Sequence, residues 1–192
     1  VENGASLCLQ LLLGWSLFTG ATQAAPTILI SFDGMRADYL TTGRAATPNF
    51  DEIARGGVHV TAGMTPAFVS KTFPNHWTLV TGLHEESHGI VGNRMRDPAY
   101  PGEAFGMGTT AGKWWDEAEP LWSAVERQGG RAAVAFWPGS AATGVAHPPS
   151  LTLGAFNRSL PFPARVQAVL AWLALPAAER PDLVCLYFEE PD

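Results

Sequence analysis

The sequence predicts an α/β fold, a doubly wound and mainly parallel sheet with helices against it. Three observations predict it. Short apolar runs of strand length recur at residues 27–32, 131–137 and 182–188, with helical patterns standing between them. Two of these runs, 27–32 and 182–188, stop at acidic residues, Asp33 and Glu189-Glu190-Pro191-Asp192. Ligands bind open α/β sheets just past the carboxyl ends of such strands. Third, Lys71-Thr72-Phe73-Pro74 precedes the apolar-periodic residues Trp77, Leu79 and Val80, so a helix starts beside Thr72.

Size and charge bound the function. The chain has 192 residues, 46% of them hydrophobic, enough for one domain with a real core. Its formal net charge of −6, without a basic cluster, excludes nucleic acid as a structural partner and leaves nucleotides open as substrates.

The elements follow in order. Residues 1–24 read as a secretory signal: an apolar stretch from Leu7 to Phe18, then the small residues Ala21, Thr22 and Ala24. The stretch lacks a basic start and begins with Val, which reads as a signal cut short at its N-terminus; residues 25–192 are then the mature part. A secretory route permits disulfides, but with Cys8 in the signal, Cys185 reads as a buried strand residue. Residues 27–32 form a buried strand that stops at Asp33-Gly34, either a plain turn or a carboxylate presented to a ligand. Thr47 to Gly57 reads as a capped helix with Pro48 first, and Val58-His59-Val60 begins a second strand with His59 facing solvent.

At Thr72 two readings are open. As a helix N-cap the hydroxyl is structural; as a nucleophile it sits where free N–H groups and the helix dipole favour phosphate. His76, one turn on, is either its general base or a packed, hydrogen-bonded histidine. His84 reads as exposed and His88-Gly89 as a turn. Asn93 is either a turn residue or a donor to an oxyanion. Residues 97–113 read as a surface loop. A helix carrying Trp114, Trp115 and Trp122 is expected over 113–122, and the helical pattern extends from Pro120 to Gln128. The strand 131–137 comes next, then a second loop, 138–161, with the glycosylation sequon Asn157-Arg158-Ser159. A helix over 163–175 presents Val166, Val169, Leu170 and Leu173 on one face, and the strand 182–188 follows. Glu189-Glu190 reads as a solvated turn. If the strands bring Asp33 and Asp192 together, hard carboxylate oxygens beside a hydroxyl make a metal-assisted phosphoryl site.

Five motifs in this order resemble the ectonucleotide pyrophosphatase/phosphodiesterase family of the alkaline phosphatase superfamily. They are Ser31-Phe32-Asp33-Gly34, Lys71-Thr72-Phe73-Pro74-Asn75-His76, Gly89-Ile90-Val91-Gly92-Asn93, Trp137-Pro138-Gly139-Ser140 and Glu189-Glu190-Pro191-Asp192. The resemblance covers residues 26–192. It implies an alkaline-phosphatase-like fold with helices on both sheet faces, incomplete at the C-terminus, and a phosphodiesterase with two Zn2+ ions. Thr72 would be the nucleophile and share one zinc with Asp33; Asp192 would bind the other. Asn93 would hold a phosphate oxygen, and Phe73 and Phe156 would sandwich the base of a nucleotide or dinucleoside polyphosphate. With zinc to lower the pKa of a bound hydroxyl, threonine needs no neighbouring base, which disfavours His76 in that role.

The same resemblance implies further zinc ligands downstream of Asp192. The expectation is that this chain alone has an incomplete ligand set and little activity. Members without cysteine-rich repeats, the fourth and fifth, are most similar. They imply an extracellular or cell-surface type I membrane protein anchored downstream. Two alternatives remain: a choline-lipid phosphodiesterase of the same family, and a catalytically silent binding protein.

Overall fold

The computed structural model describes residues 25–43 and 46–192. The signal reading of residues 1–24, with Cys8, lies outside them. Four parallel strands, β1 (Thr27–Phe32), β2 (Ala132–Ala135), β3 (Leu151–Thr152) and β4 (Leu183–Phe188), form one sheet in the order β1-β4-β2-β3. The β1–β4 register pairs Thr27 with Leu183 and Phe32 with Phe188, so both strands end at one level.

Alternation along β2 and β4 builds two cores, because successive strand side chains point to opposite faces. On one face Ala132, Val134, Leu183, Cys185 and Tyr187 meet Trp77 and Val80 of helix α2 (Thr72–Thr81) and Trp122 of α4 (Leu121–Arg127). On the other, Ala133, Ala135, Val184, Leu186 and Phe188 pack on Val169 of α5 (Phe162–Leu173). Helices therefore cover both faces, as expected. The alanines of β2 let helices approach closely, and the tryptophans fill the wider space on the α2 side. Cys185 is a buried strand residue whose thiol burial pushes up to about 12. No helix among the described residues is long and apolar enough to cross a membrane.

Helix α1 (Pro48–Gly56) begins on proline after Thr47, as the sequence suggests, and the short α3 (Glu85–His88) lies between α2 and α4 along the chain. Five expectations need correction. The strand over 27–32 forms but is not buried: β1 is the edge strand of the sheet, so Ile28 and Ile30 are exposed. Residues 58–60 form no strand: they are exposed, with a turn from Gly63 N–H to Val60 O, because no neighbouring strand offers them a ladder. The tryptophan segment is a single 3-10 turn, Gly112–Trp114, separate from α4; Pro120 disfavours helical backbone at Glu119 and occupies the α4 N-cap. The loops 97–113 and 138–161 are tied down by the bridges Met95–Phe105 and Ala111–Thr143, and the second loop contains β3. Finally, α5 buries Arg165 and Val169 but leaves Val166 and Leu170 exposed. A buried arginine, invisible to hydrophobic periodicity, sets that helix's rotation.

Candidate active site

All four strands deliver residues to one cleft of about 470 Å³ at their carboxyl ends. β1 supplies Asp33; β2 supplies Phe136 to Ser140; β3 supplies Gly154 to Phe156; β4 supplies Tyr187, Glu189 and Asp192. Thr72 and Phe73, opening α2, with Met107 to Thr110, Trp115, Ala141, Ala142 and Arg158, complete the lining. The loop 97–113 is thus a cleft wall as well as a surface loop. No periodicity signals that role, and only Phe105, buried at its centre, hints at it.

Thr72 is the first residue of α2, and Lys71 holds the cap position. The N-cap reading of Thr72 therefore fails. The Phe73 N–H donates to Asn93 Oδ1 at 2.9 Å. Asn93 is thereby docked on the first turn of α2 with its amide Nδ2 as the remaining donor. His76 points elsewhere. Its Nδ1 lies 2.7 Å from the Thr72 carbonyl oxygen, which can only accept, so Nδ1 carries the proton. Its Nε2 then accepts from Ser31 Oγ at 2.8 Å. Burial holds the imidazole below its ordinary pKa, keeping it neutral. His76 is a strut between β1 and α2, not a base for Thr72. Trp137 braces the same turn by donating Nε1–H to the His76 carbonyl at 3.0 Å.

Asp33 and Asp192 line the same cleft, and Gly34, next to Asp33, meets Asp192. A Cβ placed on Gly34 would lie 2.6 Å from Asp192 Cα, so only glycine, at its φ of +67°, lets the segments following β1 and β4 meet. Tyr187 donates its hydroxyl to Asp33 Oδ2 at 2.8 Å, and burial pushes that phenol well above its ordinary range. A carboxylate oriented by an outer hydrogen bond is the usual arrangement for a metal ligand. The donors that Asp33, Asp192 and Thr72 bring to the cleft, two carboxylates and a hydroxyl, suit a divalent cation in kind. In number they fall short: among the described residues no group of three or more His, Cys, Asp or Glu stands together as a metal site.

Phe73 and Phe156 both line the cleft. Phe73 packs edge-on against Phe105 at 5.9 Å, and Phe156, half exposed, packs edge-on against Phe136 at 5.6 Å. Asn157 is exposed beside Phe156, its Oδ1 accepting the Ser159 N–H at 2.9 Å.

The solvated-turn expectation holds for exposed Glu190 and fails for Glu189. Both Glu189 oxygens accept from the fork of fully buried Arg165, with NH2 to Oε1 at 3.1 Å. The guanidinium holds the Glu189 carboxyl below the usual carboxylate range. Phe136, leading from β2 into the cleft, has φ of +63°, uncommon for a bulky residue, and is held there by this packing.

The architecture is that of an alkaline-phosphatase-like α/β domain. It matches murine ectonucleotide pyrophosphatase/phosphodiesterase 5 at a TM-score of 0.80 and 39% identity, over 88% of this chain and 44% of that one. An inactive threonine-to-alanine variant of that murine protein in complex with AMP matches at 0.80 and 38%.

The family model for type I phosphodiesterase / nucleotide pyrophosphatase matches residues 27–192, and the chain belongs to that family. Among curated relatives, the bis(5'-adenosyl)-triphosphatase enpp4 of Xenopus laevis is 46% identical over 165 residues, 86% of this chain and 35% of the relative. Human family member 1 is 40% identical over 172 residues, 88% of this chain and 18% of the relative. The chain thus spans about a third or less of the length of these two relatives. Their names are those of hydrolases.

Proposed function

We propose that the protein carrying this chain hydrolyses nucleotide phosphodiester or pyrophosphate bonds, releasing nucleoside 5'-monophosphates through a phosphothreonine intermediate on Thr72. The observation that carries the reading is the convergence of Thr72, Asp33, Asp192, Phe73 and Phe156 on one cleft. The AMP bound to an inactive threonine variant of the murine relative supports it.

Each residue then has a task. Thr72 Oγ attacks phosphorus; the bond to the leaving alkoxide or phosphate breaks, and the nucleoside phosphate remains on Thr72. Water attacks next, releasing the monophosphate and restoring the hydroxyl. The amide of Asn93, fixed through Phe73 N–H, donates from Nδ2 to a phosphate oxygen, and the positive end of α2 favours the same charge. Phe73 and Phe156 hold the base from two sides. Asp33 and Thr72 would hold one zinc ion and Asp192 a second, each taking further ligands to reach about four. Zinc, when bound, supplies charge to the phosphate and lowers the pKa of the attacking oxygen. Residues 1–24 direct secretion, Asn157 carries a glycan, and the protein works outside the cell or at its surface, where a downstream anchor would hold it.

The test is direct. The full-length protein with zinc should release thymidine 5'-monophosphate from its p-nitrophenyl ester. An intact ester after prolonged incubation would overturn the reading.

A further inference from the structure

Arg165 is the one fully buried cation among the described residues, with 0% exposure, on a helix face that otherwise meets the sheet with apolar side chains. Burying a charge costs several kcal/mol unless geometry and hydrogen bonds offset it. Here they do. Nε–H donates to Leu160 O at 3.1 Å, NH1 reaches Tyr187 O at 3.4 Å, and the fork closes on both oxygens of Glu189. The guanidinium plane also lies near three rings: Phe162 at 4.9 Å, Phe136 at 5.1 Å and Phe156 at 5.7 Å. Four of its partners, Phe136, Phe156, Tyr187 and Glu189, line the cleft, whereas Arg165 itself does not.

Those contacts meet a specific need. Phe156 sits on a loop after the two-residue strand β3, and at 48% exposure it has little packing to hold its ring. Its neighbours are Phe136, Tyr187 and Arg165. A hydrophobic side chain at 165 would fill the space but could not bind the end of β4 and a β3-loop ring together.

We propose that Arg165 is a positioning residue for nucleobase selection: anchored on Glu189, it fixes the Phe156 ring as one wall of the base site. The inference rests on the nucleotide-hydrolase reading above. It adds that discrimination for a base depends on a residue that never touches the substrate. Arginine is required because a planar fork can hold a carboxylate in its plane while its face lies on a ring; lysine, a point charge, does one or the other.

The test compares two esters in the full-length, zinc-loaded protein: p-nitrophenyl thymidine 5'-monophosphate, which has a base, and bis(p-nitrophenyl) phosphate, which has none. In Arg165→Lys the ratio of kcat/KM for the first over the second should fall about tenfold or more, through KM, since sub-ångström to 1 Å displacements cost up to about 10²-fold. In a Phe156→Ala background the ratio is already low, and adding Arg165→Lys should lower it no further. A purely structural role gives a different result: equal loss on both esters, or the same additional loss without Phe156. Either outcome overturns the inference while the function reading stands. If the wild-type protein cleaves neither ester, the function reading falls and takes this inference with it. Arg165→Met repeats the comparison, with thermal melts to confirm folded protein. Lysine restoring the full wild-type ratio would also count against the proposal, because the fork would then be dispensable.

Discussion

The Tyr187 hydroxyl donates to Asp33 Oδ2 at 2.8 Å, joining residues 154 positions apart at the ends of the adjacent strands β4 and β1. The phenol stays protonated at every physiological pH, since burial and the carboxylate both push its pKa up. Tyr187 is therefore a permanent donor that engages one oxygen of Asp33 and leaves the other for a ligand. Tyr187→Phe should keep the packing and lose that orientation. Zinc affinity of the full-length protein should drop roughly 10- to 100-fold, the usual effect of removing an outer partner of a metal ligand. Equilibrium dialysis measures it, and unchanged affinity would detach Tyr187 from the site.

Thr72→Ala should reduce turnover of the thymidine ester by about 10⁴-fold or more, the scale on which nucleophile removal acts. Thr72→Ser should retain a substantial part of it. Acid quench followed by mass spectrometry should find the nucleoside phosphate on residue 72 in wild-type protein and not in the alanine variant.

Gly34→Ala should separate Asp33 from Asp192. The added methyl lies 2.6 Å from Asp192 Cα, and residue 34 sits at positive φ. Left-handed strain and the clash together cost of order 1–3 kcal/mol locally. Because Gly34 and Asp192 are exposed, the melting temperature should fall only modestly while activity collapses. Parallel losses in both would instead place Gly34 in the folding core.

Two buried histidines predict the acid limb of stability. His88 accepts the Ile90 N–H on Nδ1 at 3.1 Å and meets Thr78 Oγ1 through Nε2 at 3.0 Å, so it too is held neutral, contrary to the simple turn expected from its sequence. Burial depresses both pKa values below 6.5. The unfolded chain then binds protons first, so stability is fully present above about pH 6.5 and is lost as pH falls from there toward the folded values. Each histidine contributes a slope of at most about 1.4 kcal/mol per pH unit. Melting temperature between pH 7.5 and 5 should decline on acidification, and the decline should be shallower in His76→Gln, whatever its absolute stability. An equal slope in the variant would show that His76 does not titrate on unfolding.

Much of this protein is legible along the chain because the physics is local. The run 182–188 is apolar on both faces and is buried throughout as β4, as only a strand covered by helices needs to be; the run 27–32 is equally strand-like, but β1 lies at the sheet edge with Ile28 and Ile30 exposed. Lys71-Thr72-Phe73-Pro74 starts a helix by backbone chemistry alone, and Asp33-Gly34 needs glycine for a left-handed turn. Those features mark Thr72, Asp33 and Asp192 without any structure, whereas Phe73 and Phe156 as a pair are marked only by the family resemblance.

Tertiary structure decided the rest. Val58-His59-Val60 has strand-like residues, but a strand exists only with a neighbour to pair with. Val166 and Leu170 share a helical face with Val169, yet the rotation of α5 follows Arg165, whose partner Glu189 is 24 residues away. Whether a charge is a solvated turn or a buried clamp depends on what the fold brings against it, and no local pattern records that. Periodicity and turn chemistry report what a segment can do by itself; ion pairs, histidine tautomers and the walls of a cleft are fixed by distant partners, and these appear only when the sheet assembles.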